Sequence, residues 1–204
     1  MTTHTRGIGR TLWVAARAMT LLTLALGLGY TFALTGIGQL AFPTQANGSI
    51  VTDRGGDPVG SALIGQSFTN ADGDPLPEYF QPRPSAAGDG YDGGASSGSN
   101  YGPENETLIA AISERRAQVA EFNGVDADEV PVDAVTASSS GLDPHISPEY
   151  AAIQAARVAE ARGIPLENVR ELVAAHTRAP NAGYLGKSTV NVLELNIAVD
   201  EWEN

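Results

Sequence analysis

The sequence predicts an α+β fold: one N-terminal transmembrane helix followed by a single extracytoplasmic domain of short strands and several helices. Three observations predict it. No charged residue lies between Arg17 and Asp53, and residues 18–42 form a nearly unbroken apolar run. Residues 43–102 hold 12 Gly and six Pro in 60 positions, which leaves room for turns and short strands only. From Pro103 onward, apolar residues recur at helical spacing between cap residues.

The apolar run comes first. Twenty-five helical residues at about 1.5 Å each reach roughly 38 Å, enough to cross a hydrocarbon core of about 30 Å with some tilt. A cleaved signal peptide needs an apolar core of only about 7–15 residues. A retained anchor is therefore expected, although Thr44-Gln45-Ala46 is a passable cleavage site. Arg6, Arg10 and Arg17 precede the run and no acid does, so the positive-inside rule places residues 1–17 in the cytoplasm. Residues 18–42 are then the transmembrane helix and residues 43–204 the extracytoplasmic α+β domain. All 24 acids lie in that last segment against nine basic residues, a formal charge of −15. Nucleic acid and anionic lipid are poor partners for such a surface, and cations are better ones. No cysteine occurs, which excludes disulfides, zinc-thiolate sites and a thiol nucleophile.

Within 43–102, Ser49–Val51 and Ala62–Phe68 read as strands between the turns Asp53-Arg54-Gly55-Gly56 and Asn70-Ala71-Asp72-Gly73. Ala86–Gly102 is rich in Gly and Ser, but Tyr91 and Tyr101 favour an ordered loop. Leu108, Ile109, Ile112, Val119 and Phe122 mark a helix that Gly124 ends. Pro131–Ser138 reads as extended. Ser147-Pro148-Glu149 supplies a hydroxyl cap, a Pro at the first helical position and a first-turn carboxylate, opening a helix that stops at Gly163. Another helix starts at Pro165 with His176 on its apolar face, and the segment Thr189–Trp202 closes the domain.

Four constellations bear on chemistry. Gly94-Ala95-Ser96-Ser97-Gly98 matches the nucleophile-elbow pattern, but no strand precedes it, and that turn must join a buried strand to a helix. Gly186-Lys187-Ser188-Thr189 resembles the end of a phosphate-binding loop, yet Asn181 occupies the position of the required first Gly. Asp143, His145 and His176 are metal-ligating types without metal-site spacing, so no metal is expected. In the membrane, Gly27, Gly29, Gly36 and Gly38 offer a small-residue surface on which another helix can pack.

Several runs together resemble the C-subunit family of the bacterial Kdp potassium-transporting P-type ATPase. They are Gly65-Gln66-Ser67-Phe68, Tyr79-Phe80-Gln81-Pro82-Arg83-Pro84-Ser85-Ala86, Ser96-Ser97-Gly98-Ser99-Asn100, Val130–Thr136, Ser140-Gly141-Leu142-Asp143-Pro144-His145-Ile146-Ser147, Ala152–Arg162 and Val190–Asn196. The run through Asp-Pro-His-Ile-Ser is highly specific, and the resemblance covers the whole chain. Two departures are visible: Ser138-Ser139-Ser140-Gly141 stands where the family usually has Ser-Gly-Ser-Gly, and the loop Asn70–Pro77 is expanded.

The resemblance implies a non-catalytic accessory subunit of a potassium pump. Its partners would be a channel-like potassium-translocating subunit (KdpA), a P-type ATPase subunit (KdpB) and a small single-span subunit (KdpF). The family is described as a catalytic chaperone that raises the ATP affinity of the ATPase subunit. On that likeness Ser138, Ser139, Ser140, Gly141 and Gln154 are expected to be nucleotide-linked, with ATP as the cofactor acting through the complex. Asp143 and His145, together with Gly27, Gly29 and Gly36, are expected at partner contacts. The charge rule conflicts with direct ATP contact, because it places residues 138–154 outside the cell. An anchored serine hydrolase using Ser96 or His145, or an anchored protein-binding domain, is the alternative.

Overall fold

A computed structural model describes residues 5–202 of the chain. The first four residues of the expected cytoplasmic segment and the last two of the chain lie outside the described residues. The chain divides after Ser49 into two compact units.

The first unit is helical almost throughout. Helix α1 spans Thr5–Leu22, a π-helical stretch spans Thr23–Tyr30, and α2 spans Thr31–Ala41. Gly7–Ala41 is long and apolar enough to cross a membrane, and none of it is buried within the chain. The residue before a proline is driven out of the helical region. Phe42 accordingly sits at φ −137° before Pro43, which ends α2 and starts the four-residue helix α3, Pro43–Ala46. The side chains of Gln39 and Asn47 bond across this corner at 3.1 Å.

The second unit mixes helix and sheet. Strands β1 (Ile50–Thr52) and β2 (Pro58–Ser61) form an antiparallel hairpin. Its turn falls at Asp53–Gly56, where Asp53 Oδ1 accepts from the Asp57 N–H at 3.0 Å. The second strand expected at Ala62–Phe68 is absent. Its backbone instead makes a turn from Ser61 to Ile64, and the Gly65 N–H reaches the Leu142 carbonyl at 2.9 Å. Gly65 explains the difference: a Cβ there would lie 2.5 Å from the Tyr91 ring and 2.8 Å from the Asp143 carbonyl oxygen, so this stretch serves close approach rather than pairing.

Helix α4 spans Glu106–Asn123, capped by Asn105 and ended by left-handed Gly124. The segment expected to be extended, Pro131–Ser138, contains the short helix α5, Val132–Val135. Pro131 is its cap, and burial of Ala134 and Val135 overrides the strand preference of Val. After β3 (His145–Ile146) comes α6, Pro148–Arg162, begun by Ser147 and ended by left-handed Gly163 as expected. Helix α7 spans Leu166–Ala175, and His176 is its half-buried C-cap rather than a core residue, its Nδ1 lying 2.9 Å from the Leu172 carbonyl. Strands β4 (Thr177–Arg178) and β5 (Thr189–Asn191) lead into α8, Val192–Trp202. The second sheet has the order β3-β5-β4, antiparallel, with Val190 opposite both Ile146 and Thr177. Val158 of α6, Val169 of α7 and Leu195 and Val199 of α8 are fully buried in the core beside this sheet.

Candidate functional site

The polar residues of the second unit converge on one segment, residues 77–87, that belongs to no sheet. Phe80 is fully buried. Its N–H donates to Asn196 Oδ1 at 2.8 Å, and its carbonyl accepts from Asn196 Nδ2 at 3.0 Å. At the next residue, the Gln81 N–H donates to Gln154 Oε1 at 2.7 Å and the Gln81 carbonyl accepts from Gln154 Nε2 at 3.1 Å. One amide serves both groups of a residue only when they point the same way, as in an extended strand exchanging paired bonds with its neighbour. Asn196 of α8 and Gln154 of α6 therefore stand in for neighbouring strands. Backbone pairing along the segment is blocked further on, because Pro82 and Pro84 have no N–H to give.

Arg157 lies one turn along α6 and locks the same place. It is 9% exposed and donates to Gln154 Oε1 at 2.8 Å, Asn123 Oδ1 at 3.0 Å and the Tyr79 carbonyl at 3.1 Å, and also to the Pro77 carbonyl. Its guanidinium stacks 4.4 Å from the centre of the Phe122 ring. All these acceptors are neutral. Burial lowers its pKa to about 10, so it remains charged at neutral pH, and a buried charge of this kind is tolerated because carbonyl and amide oxygens surround it.

Further along, Arg83 Nη1 meets Asp143 Oδ2 at 3.1 Å. The other oxygen, Oδ1, accepts from the His145 N–H at 3.0 Å and lies 3.2 Å from His145 Nδ1. Burial alone would raise the Asp143 carboxyl, but the His145 hydrogen bonds and the charges of His145 and Arg83 hold it below the ordinary range. Ser85 Oγ donates to the Gly141 carbonyl at 2.6 Å. Gly141 has φ +70°, and a Cβ there would lie 2.7 Å from both Ala87 N and Ser97 O. Its loop thus packs backbone to backbone on residues 85–98, where the Ser97 N–H also donates to the Ser140 carbonyl at 3.0 Å. Ser138, Ser139 and Ser140 face an open groove of about 650 Å³ shared with Leu63, Ile64, Arg83 and Asp143.

The family described as "KdpC: K+-transporting ATPase, c chain" matches residues 12–201. A Caulobacter vibrioides protein called "Potassium-transporting ATPase KdpC subunit" is 54% identical over 90% of this chain and 89% of its own length. A Mycobacterium bovis protein of the same name is 51% identical over 94% of this chain and 98% of its own length. A third, from Kineococcus radiotolerans, is 54% identical over 87% and 86%. The chain belongs to the KdpC family. KdpC is an accessory subunit of a potassium-transporting ATPase, not its catalytic chain.

Against the KdpC expectations, the structure sorts the named residues into four groups. Gln154 is wholly buried, and both polar atoms of its amide are engaged inside the domain. Among the described residues no hydrogen bond runs from Ser138–Gly141 to Gln154; each instead bonds the 77–87 segment, at Gly141–Ser85 and Gln154–Gln81. Asp143 and His145 pair with each other and with Arg83. In the first unit, Gly27 and Gly29 lie in the π-helical stretch and Gly36 in α2. An added Cβ at Gly36 meets nothing within 4 Å, and at Gly27 and Gly29 only ordinary contacts.

Other motifs resolve simply. Ser96 lies in a loop with no preceding strand, and its Oγ donates to the Ser140 carbonyl at 3.0 Å. Lys187 and Ser188 lead from the turn at Gly186 into β5, so no helix presents its amides there. Among the described residues, no three His, Asp or Glu side chains gather as a metal site. Sequence reasoning gave no role to Arg157, Gln81 or Asn196. The available signal was Arg157 three residues after Gln154 on the buried face of an Ala-rich helix, since an unexplained cation there must be held by something.

Proposed function

We propose that this chain is the non-catalytic subunit that joins the channel-like, P-type ATPase and small single-span subunits of a potassium uptake complex and raises the ATP affinity of the ATPase subunit without touching ATP. The single observation that supports this is the inward use of Gln154. Its amide is fully buried and bonds the Gln81 backbone and Arg157, turned away from any solvent-side nucleotide. Gln154 and Ser138–Gly141 act by holding the 77–87 segment, and with it the Asp143–His145 surface, in a fixed shape for a partner subunit. Asp143 and His145 meet that partner from one side of the segment. The effect on ATP is a differential stabilisation of one pump conformation, a coupling between distant sites of the usual size, about 1–3 kcal/mol. Arg10 and Arg17 before the apolar helix, and the acids confined after it, support an N-terminus in the cytoplasm and the α+β domain outside.

The test is reconstitution. Affinity purification through this chain should bring down the two large polytopic subunits. The same complex assembled without the chain should need more ATP for half-maximal hydrolysis. Equal ATP dependence with and without it would refute the proposal.

A further inference from the structure

A second cavity, of about 280 Å³, is lined in part by Arg83, and no acidic residue lines it. Its polar lining includes Arg83, Arg115, Gln118, Ser85, Tyr91 and Tyr150. The two arginines come from different elements yet bond successive carbonyls: Arg115 Nη1 donates to Val135 O and Arg83 Nη2 to Thr136 O, each at 3.3 Å. Both arginines line the same cavity. Arg83 is balanced by Asp143, whereas Arg115 pairs with no carboxylate among the described residues. The buried Arg83 Nε has no acceptor. Tyr150 is 3% exposed, and its hydroxyl has no partner among the described residues. Burial pushes that hydroxyl's pKa up, so at neutral pH it is a donor.

A pocket whose lining holds two arginines and further donors and no acid is locally complementary to an anion, against the −15 formal charge of the domain as a whole. Its volume, near the lower end of the range of about 300–1,000 Å³ typical of drug-sized ligands, suits a small ion. We propose that this cavity binds a small oxyanion of the phosphate or sulfate class, with Arg115 supplying the charge and the Arg83 Nε and Tyr150 hydroxyl supplying directed hydrogen bonds. The ion bridges α4, the 77–87 segment and α6, so its binding stabilises the folded domain by mass action.

The full-length chain in detergent tests this by thermal unfolding and calorimetric titration with inorganic phosphate, at constant ionic strength against chloride. Phosphate should raise Tm with concentration where chloride does not. Arg115→Gln and Tyr150→Phe should each weaken phosphate binding by about tenfold or more, the size expected for a hydrogen bond to a charged group. Tyr150→Phe removes no bond within the protein, so its Tm without phosphate should match the parent and its result stands even if Arg115→Gln folds poorly. A phosphate response equal to that of chloride, or one unchanged by Tyr150→Phe, would overturn the site.

Discussion

Gln154 and Asn196 hold consecutive residues of one extended segment, each amide closing both hydrogen bonds of a single residue. Gln154 takes the N–H and carbonyl of Gln81 at 2.7 and 3.1 Å, and Asn196 those of Phe80 at 2.8 and 3.0 Å. Successive residues of an extended chain direct these groups to opposite edges, so α6 and α8 clasp the segment between them. The clasp needs both side chains. Truncating one leaves a buried donor and a buried acceptor unpaired, at about 1–3 kcal/mol each. Gln154→Ala should thus lower stability by about 2–6 kcal/mol, read from chemical denaturation of the full chain. A loss within the range of ordinary surface substitutions, about 0.5 kcal/mol, would contradict the clasp.

Gly141 joins the serine loop to that segment through backbone contact. Ala at 141 would require a left-handed backbone and would place its Cβ 2.7 Å from Ala87 N and Ser97 O. Overpacking of this kind costs about 1–3 kcal/mol before the backbone penalty of about 1 kcal/mol or more. Gly141→Ala should therefore destabilise by at least about 2 kcal/mol and speed hydrogen exchange at the Ser97 amide, which Ser140 now protects. Exchange at parental rates would show that the two loops move independently.

Acid sensitivity follows from Asp143. Its carboxyl, held low by its hydrogen bonds from His145 and by the His145 and Arg83 charges despite burial, ionises at lower pH in the folded chain than in the unfolded one. Between those two values the unfolded chain binds more protons, so stability rises with pH there. The contribution is complete above the unfolded value of about 3.9 and is lost as pH falls through the folded value. Asp143→Asn should flatten the stability profile below about pH 4. A parental slope in the variant would assign the acid transition to other carboxylates.

Gly27, Gly29 and Gly36 are not required by packing inside the chain. Leu at these positions keeps the helix apolar but fills any close approach of a neighbouring helix. The triple substitution should leave membrane insertion intact and reduce recovery of the large subunits during affinity purification. Full recovery would leave the α+β domain as the docking element.

Much of this architecture is legible in the sequence, and the reason differs by element. Ser147-Pro148 and Gly163 bound α6, and Gly124 ends α4, because cap chemistry is local. The failures are tertiary. Ala62–Phe68 has strand composition, but Gly65 must touch Tyr91 and Asp143, residues far along the chain. Val132–Val135 turns helical because Ala134 and Val135 are buried there. The clasp was invisible for the same reason: Asn196 and Gln154 look like ordinary polar residues until the fold brings Phe80 and Gln81 between them. Gln154 was named from family likeness alone, and its neighbours at Arg157 and Gln81 complete the arrangement that likeness did not supply.

The most direct measurement compares the ATP dependence of hydrolysis in complexes carrying Gln154→Ala or Asn196→Asp. Asp at 196 keeps an oxygen for the Phe80 N–H and loses the donor to the Phe80 carbonyl, loosening the clasp from the far helix without altering Gln154. If Gln154 works by holding the segment, both variants raise the ATP concentration needed for half-maximal activity, within the range of about 5–150-fold typical of coupled sites. If Gln154→Ala raises it while Asn196→Asp leaves it at the parental value, Gln154 acts on the nucleotide itself and the account fails.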